Sequence, residues 1–305
     1  VKMTGEGKTV YGKSTQLMRG VKFLVDRANS MNVPLVINLS FSTNDGAHDG
    51  TSLLEQYIEN ICLLEKINFV ISAGNEGDRG HHVGEELKDT QTISMNIGED
   101  EKIITLQLYK SFTEDISIEI KNPANVSTGV INIKEGYSNG NVQNDRYFIY
   151  YSGPKPFSLN GEILISLTSD SAVLVSGIWM ITITKESKTK GVYDIWMPIA
   201  EGLNPKTRFL RPNIYDTLGI PGTVEDAVTA GSYNHVTGTI SSFSGRGRET
   251  GNPIKPDVVA PGENIESVAS GGGYDSFSGT SMAAPIASGI CALLMQWGIV
   301  LKNDI

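Results

Sequence analysis

The sequence predicts an α/β chain in which a parallel-sheet unit, made from both ends of the chain, is interrupted by an antiparallel β-sandwich. Two textures carry this reading. Up to about Val83, and again from about Asn213, short apolar runs alternate with Ala- and Gly-rich helical stretches, as βα units around a parallel sheet require. From Gly84 to Pro212 the helical period nearly vanishes. Alternating strands are expected instead at 92–97, 103–109, 116–120, 128–133, 147–151, 162–168, 177–184 and 192–197. Turn signals at Lys121-Asn122-Pro123, Tyr137 to Asn141 and Ser152-Gly153-Pro154 punctuate them. That many short strands suit a sandwich of jelly-roll type. The expected division is therefore 1–83, an inserted 84–212, and 213–305.

The first part is expected to hold a strand at Val1-Lys2-Met3, a turn, a helix over 14–29 and a strand over 33–40. Another apolar run ends at Gly74-Asn75-Glu76-Gly77. An Asn amide at a strand end, with glycines permitting close backbone approach, suits the donor that an acyl-transfer oxyanion needs. It equally suits an ordinary strand-to-turn Asn. In the last part Gly279-Thr280-Ser281-Met282-Ala283-Ala284-Pro285 opens a small-residue run, 286–294, that is expected to be a buried helix. Ser281 then stands at or just before a helix N-terminus, where unpaired N–H groups favour developing negative charge. The alternative is that Thr280 or Ser281 is only an N-cap.

Taken together, Gly74 to Gly77, Asp257-Val258-Val259-Ala260-Pro261-Gly262 and Gly279 to Pro285 closely resemble the motifs of the subtilisin-like serine proteases, or subtilases. The elements at 1–40, 219–222, 227–231 and 240–244 continue the likeness. The resemblance implies a subtilisin-like parallel-sheet domain, with Ser281 as nucleophile and Asn75 as oxyanion-hole side chain, joined by the Ser281 N–H. It places an extended peptide beside Ser40, Phe41 and Ser42, and the pocket for the residue before the cleaved bond between that segment and Ser72, Ala73 and Gly74. Thr280 is assigned to substrate binding as well. The family's usual Ser-Leu-Gly-Gly is Ser40-Phe41-Ser42-Thr43 here, which predicts a narrower pocket.

The family's Asp and His motifs are absent. His48, His81, His82 and His235 all read as solvated loop residues, so the chain is expected to be an internal portion of a longer protease, inactive without the missing N-terminal portion. A subtilase with a sandwich between Asn75 and Ser281 resembles the Csp-type proteases of spore-forming clostridia, which act in spore germination. A secreted or spore-associated location follows from the likeness. The expected substrate is then a protein precursor or peptide. The competing readings are a pseudoprotease that regulates a partner, and a cell-wall binding protein.

A net charge of −9 argues against nucleic acid and anionic membranes as partners. No apolar run reaches the ~18 residues of a membrane span; the longest, 286–300, is broken by Ser288, Gly289 and Gln296. Cys62 and Cys291 are expected as buried free thiols. No cofactor is required for the chemistry. Structural calcium is a possibility at Asn44-Asp45-Gly46, Asp49-Gly50 and Asp78, with no ligand set assigned. Within the sandwich, Tyr147, Phe148, Tyr150, Tyr151, Trp179 and Trp196 would form a glycan-stacking surface if exposed, but alternating aromatics are expected to fill a core, Trp179 above all.

Overall fold

The computed structural model describes residues 2–3, 9–10, 14–156, 158–187, 190–249 and 254–303; Val1 and the turn expected after Met3 lie outside them. In chain order the elements are β1 (Lys2–Met3), β2 (Thr9–Val10), α1 (Ser14–Met31), β3 (Leu35–Leu39), α2 (Leu53–Cys62), β4 (Ile67–Ser72), β5 (His82–Glu86), β6 (Thr90–Ile97), β7 (Ile103–Ser111), β8 (Ile116–Lys121), β9 (Ile131–Asn132), β10 (Gly136–Val142), β11 (Asp145–Ser152), β12 (Asn160–Ser169), β13 (Gly177–Lys185), β14 (Val192–Trp196), β15 (Arg208–Phe209), β16 (Val228–Tyr233), β17 (Val258–Pro261), β18 (Ile265–Val268), β19 (Tyr274–Phe277) and α3 (Thr280–Met295). They form two compact units. One comprises Val1–Thr43, His48–Asp78 and Thr217–Ile305; the other comprises Asn44–Ala47 and Arg79–Asp216.

The first unit is built on a four-stranded sheet of order β17-β16-β4-β3, parallel throughout. Side chains alternate across its strands, so both faces must be covered. Phe69 and Ile71 of β4 join Val21 and Val25 of α1 and Ile58 and Ile61 of α2 on one face. Val70 and Ala230 meet Ala284 and Ala287 of α3 on the other. α2 starts with a reciprocal capping box, in which Ser52 and Glu55 each accept the other's backbone N–H.

The helix expected at 286–294 is present but is not buried. Ile290, Leu293 and Leu294 are 53%, 66% and 62% exposed, because only the small residues of the first turns face the sheet. By length and composition the helical run Thr280–Val300 is also sufficient to cross a membrane, since Ser288, Gly289 and Gln296 do not interrupt it. Its alanine face is packed on the parallel sheet.

In the second unit two antiparallel sheets, of order β10-β11-β12-β7-β14-β5 and β15-β6-β13-β8-β9, share one core. Ile104, Leu106, Ile163 and Ile165 of the first meet Met95, Ile118, Trp179 and Ile181 of the second. Trp179 is fully buried and donates its indole N–H to the Val175 carbonyl at 2.8 Å. Trp196 and Tyr147 are buried too, whereas Tyr150 is 50% exposed, so the aromatics do not make one surface. Residues 137–141, expected as a turn, are strand β10, paired with β11 from Gly136 to Val142. Its outward Tyr137, Asn139 and Asn141 are exposed, so it lacks apolar alternation, and the chain reverses after it at Gln143, with φ 62°. Of the strand expected at 128–133, only Ile131–Asn132 pairs in a sheet.

Candidate active site

β4 runs out of the sheet into Ser72-Ala73-Gly74-Asn75, and α3 begins opposite this point. Gly74, at φ 88°, occupies backbone space that a side chain would not tolerate: an added Cβ would stand 2.9 Å from the Gly219 nitrogen. The turn is clamped from the other side. Gly245 N–H donates to the Gly74 carbonyl, Gly77 N–H to the Phe243 carbonyl, and the Arg246 guanidinium to the Gly77 carbonyl at 3.0 Å. The resemblance did not single out Gly245 or Arg246. Their signal is the Gly-Arg-Gly that follows Ser244, where glycine lets two backbones touch.

Thr280 joins the two motifs. Its N–H donates to Asn75 Oδ1 at 2.9 Å and its hydroxyl donates to the same oxygen at 3.0 Å, while that hydroxyl accepts from Gly74 N–H at 3.1 Å. Both donors need an acceptor, so the Asn75 amide is oriented with its oxygen towards Thr280 and its Nδ2 turned away, with no acceptor among the described residues. Thr280 is fully buried and holds Asn75; nothing in its contacts makes it a wall of a substrate pocket. The N-cap of α3 is Gly279, at φ 154°, and it makes no side-chain cap. Neither Thr280 nor Ser281 is therefore a cap residue. Ser281 is the second residue of the helix, so its N–H has no intrahelical partner. The Ser281 hydroxyl is partly exposed and has no hydrogen-bond partner among the described residues.

The expected peptide-binding residues have different fates. Backbone groups of Ala73 and Gly74 are consumed internally: Ala73 N–H by Ala230, Ala73 C=O by Gly219, and Gly74 C=O by Gly245. Ser72 is buried at the end of β4. Phe41 is half-buried against the core shared by α1 and α2. Ser42 lies against Gly219, where an added Cβ would overlap it, and Thr43 and Ile220 exchange two backbone hydrogen bonds beyond. Ser40 donates its hydroxyl to the Ser281 carbonyl at 3.1 Å.

The histidines are not solvated loop residues, His235 excepted. His48 Nδ1 is 2.7 Å from the Leu218 carbonyl and His81 Nε2 is 3.0 Å from the Thr207 carbonyl. His82 is held between the Tyr215 carbonyl and Asp194 and stacks on Trp196 at 4.7 Å. All three are buried by partners that sequence spacing hides. None of them makes a contact with Ser281 among the described residues.

The carboxylates considered for calcium are engaged. Asp49 accepts from the Thr51 N–H and hydroxyl, Asp45 from Gln107 and Asp78 from Ser242. Among the described residues no cluster of three or more His, Cys, Asp or Glu could hold a metal. Cys62 and Cys291 are free thiols and half-buried, and burial pushes Cys62 up to about 12.

Residues 206–299 match the family model described as Subtilase family. The chain is also similar along 99% of its length to the solved CspB protease of Clostridium perfringens, at 48% identity and a TM-score of 0.93. The chain belongs to the subtilase family. It spans 64% of that CspB chain. Among curated relatives, serine protease AprX of Bacillus subtilis is 38% identical over 108 residues, 29% of this chain and 24% of AprX. Subtilisin-like protease SBT3.16 of Arabidopsis thaliana is 52% identical over 60 residues, 19% of this chain and 8% of that protein. This subtilase chain thus spans a minor part of those curated relatives.

Proposed function

We propose that this subtilase chain supplies the nucleophile and the oxyanion hole of a serine endopeptidase. Ser281 attacks the scissile carbonyl, and the negative oxygen that develops is held by Asn75 Nδ2 and the Ser281 N–H. The observation that supports this most is the double hydrogen bond from Thr280 to Asn75 Oδ1, which turns the amide donor away from Thr280 before any substrate arrives. A serine hydroxyl also needs a base to take its proton and a carboxylate to orient that base. No described histidine is placed for this, so the base and its carboxylate come from outside the described residues.

The peptide pairs as an added strand along Ser40 to Ser42, the side of the cleft whose backbone groups have no backbone partner among the described residues. Ser42 packs directly against Gly219 beside this segment, which favours a small residue before the cleaved bond and limited processing of a protein precursor. The likeness to CspB supports a role of the Csp type, in germination, with the sandwich as a jelly-roll scaffold.

The test is fluorophosphonate labelling and peptide hydrolysis by the complete protease. Ser281→Ala is expected to abolish both. Asn75→Ala is expected to lower kcat by ~10²–10³, a range established on subtilisin itself, a member of this family. An unlabelled wild-type protein, or an Asn75→Ala protein as fast as wild type, would refute the reading.

A further inference from the structure

The structure assigns the Ser40 side chain to positioning the nucleophile, its backbone being left to pair with the peptide, an inference that rests on the hydrolase reading above. It starts from Pro285. In an α-helix each N–H donates to the carbonyl four residues earlier, and proline has no N–H. Pro285 lies inside α3 and faces, in this pattern, the carbonyl of Ser281. The carbonyl of the nucleophile's own residue therefore loses its helical donor. The donor that reaches it is the Ser40 hydroxyl, at 3.1 Å, from the end of β3 and 241 positions away in sequence.

Ser40 is itself oriented. Its oxygen accepts from Asn38 Nδ2 at 3.1 Å, which directs the hydroxyl proton to Ser281. Asn38 Oδ1 in turn accepts from the Ser288 hydroxyl at 3.1 Å, and that hydroxyl also lies 2.9 Å from the Ala284 carbonyl, two turns along the same helix. The side chains of Asn38 and Ser40, two residues apart on one face of the strand end, thus grip α3 at Ser281 and at Ser288. This clip sets where the first turn of α3 sits relative to β3, and with it the rotation of the peptide unit that carries the Ser281 side chain.

The distinction from a substrate contact is experimental. A substrate-binding Ser40 would act on KM for peptides and leave untouched the reaction with a small organophosphorus probe, which reaches only the nucleophile and the oxyanion hole. A positioning Ser40 acts on both reactions through the chemical step. In the complete protease, Ser40→Ala is expected to slow fluorophosphonate labelling about three- to tenfold, the value of one hydrogen bond. The same factor should appear in kcat for a peptide, with KM unchanged and the melting temperature within a few degrees of wild type. Ser40→Thr keeps the hydroxyl and should restore the rate. Asn38→Ala should give a smaller loss of the same kind.

If wild type is labelled and Ser40→Ala is labelled equally fast, or if only KM rises, the inference is overturned while the hydrolase reading stands. If Ser40→Ala unfolds, Asn38→Ala against Ser40→Thr decides: equal labelling of both and wild type overturns it. Failure of wild type to label at all would overturn the hydrolase reading instead.

Discussion

In the unit of antiparallel sheets, Trp179, Tyr193 and Phe209 are buried among isoleucines and leucines from two sheets, whereas beneath α3 the contact with the parallel sheet is made by Ala284 and Ala287 against Val70 and Ala230. The first arrangement is specified by volume, and apolar alternation is enough to write it. The second is specified by the absence of volume. Small side chains and glycines bring helix, strand end and turn so close that hydrogen bonds such as Gly74 N–H to Thr280 can form. A fold can thus be robust where its side chains are large and exacting where they are small, and in this chain the proposed site lies in the exacting part.

The largest effect that sharpens this contrast is expected from Trp179→Ala. Removing a fully buried indole and its hydrogen bond to Val175 should cost about 3–5 kcal/mol, read by denaturant unfolding. The folded fraction should keep its labelling rate, because every site residue belongs to the other compact unit. A stability loss under about 1 kcal/mol would show that the core between the antiparallel sheets is not held by volume. Ala284→Leu should cost less, about 1–3 kcal/mol of overpacking, yet abolish most labelling by lifting α3 from β4 and β16. Full labelling in that variant would break the comparison.

The smallest effect concerns pH. Burial pushes the carboxyl of Glu55 upward, against the hydrogen bonds from Ser52 and Thr223 that pull it down. A raised native value means that the folded chain holds this proton more tightly than the unfolded one. The contribution is therefore complete below the unfolded value of about 4.3 and is lost as pH rises through the native value. Glu55→Gln, which resembles the protonated form, should flatten the fall of the unfolding midpoint over that window. An unchanged slope would show that Glu55 folds with an ordinary carboxyl.

That the segments of Asn75 and Thr280 meet was legible in the sequence, because both carry glycines and small polar residues that allow close approach, and those neighbours are local. β7, β12 and β13 were legible through period-two alternation. β10 was not, since Tyr137, Asn139 and Asn141 face outward and the Asn-Gly step inside it imitates a turn. The exposure of Ile290 and Leu293 was hidden because a stretch so largely apolar has no period that says which face is covered. His81 and His82 looked solvated because their partners, the carbonyls of Thr207 and Tyr215, lie more than a hundred positions away. The role of Ser40 was hidden in the same way, since it answers a donor removed by Pro285.

The central claim is that the Asn75 amide and the Ser281 N–H face one oxygen. It is tested most directly by the crystal structure of the complete protease with a phosphonate bound to Ser281. The account predicts a phosphoryl oxygen within hydrogen-bond distance of both Asn75 Nδ2 and the Ser281 nitrogen, with Thr280 still donating to Asn75 Oδ1. An adduct whose oxygen points away from Asn75, or an Asn75 amide turned with its oxygen towards the phosphonate, would contradict it.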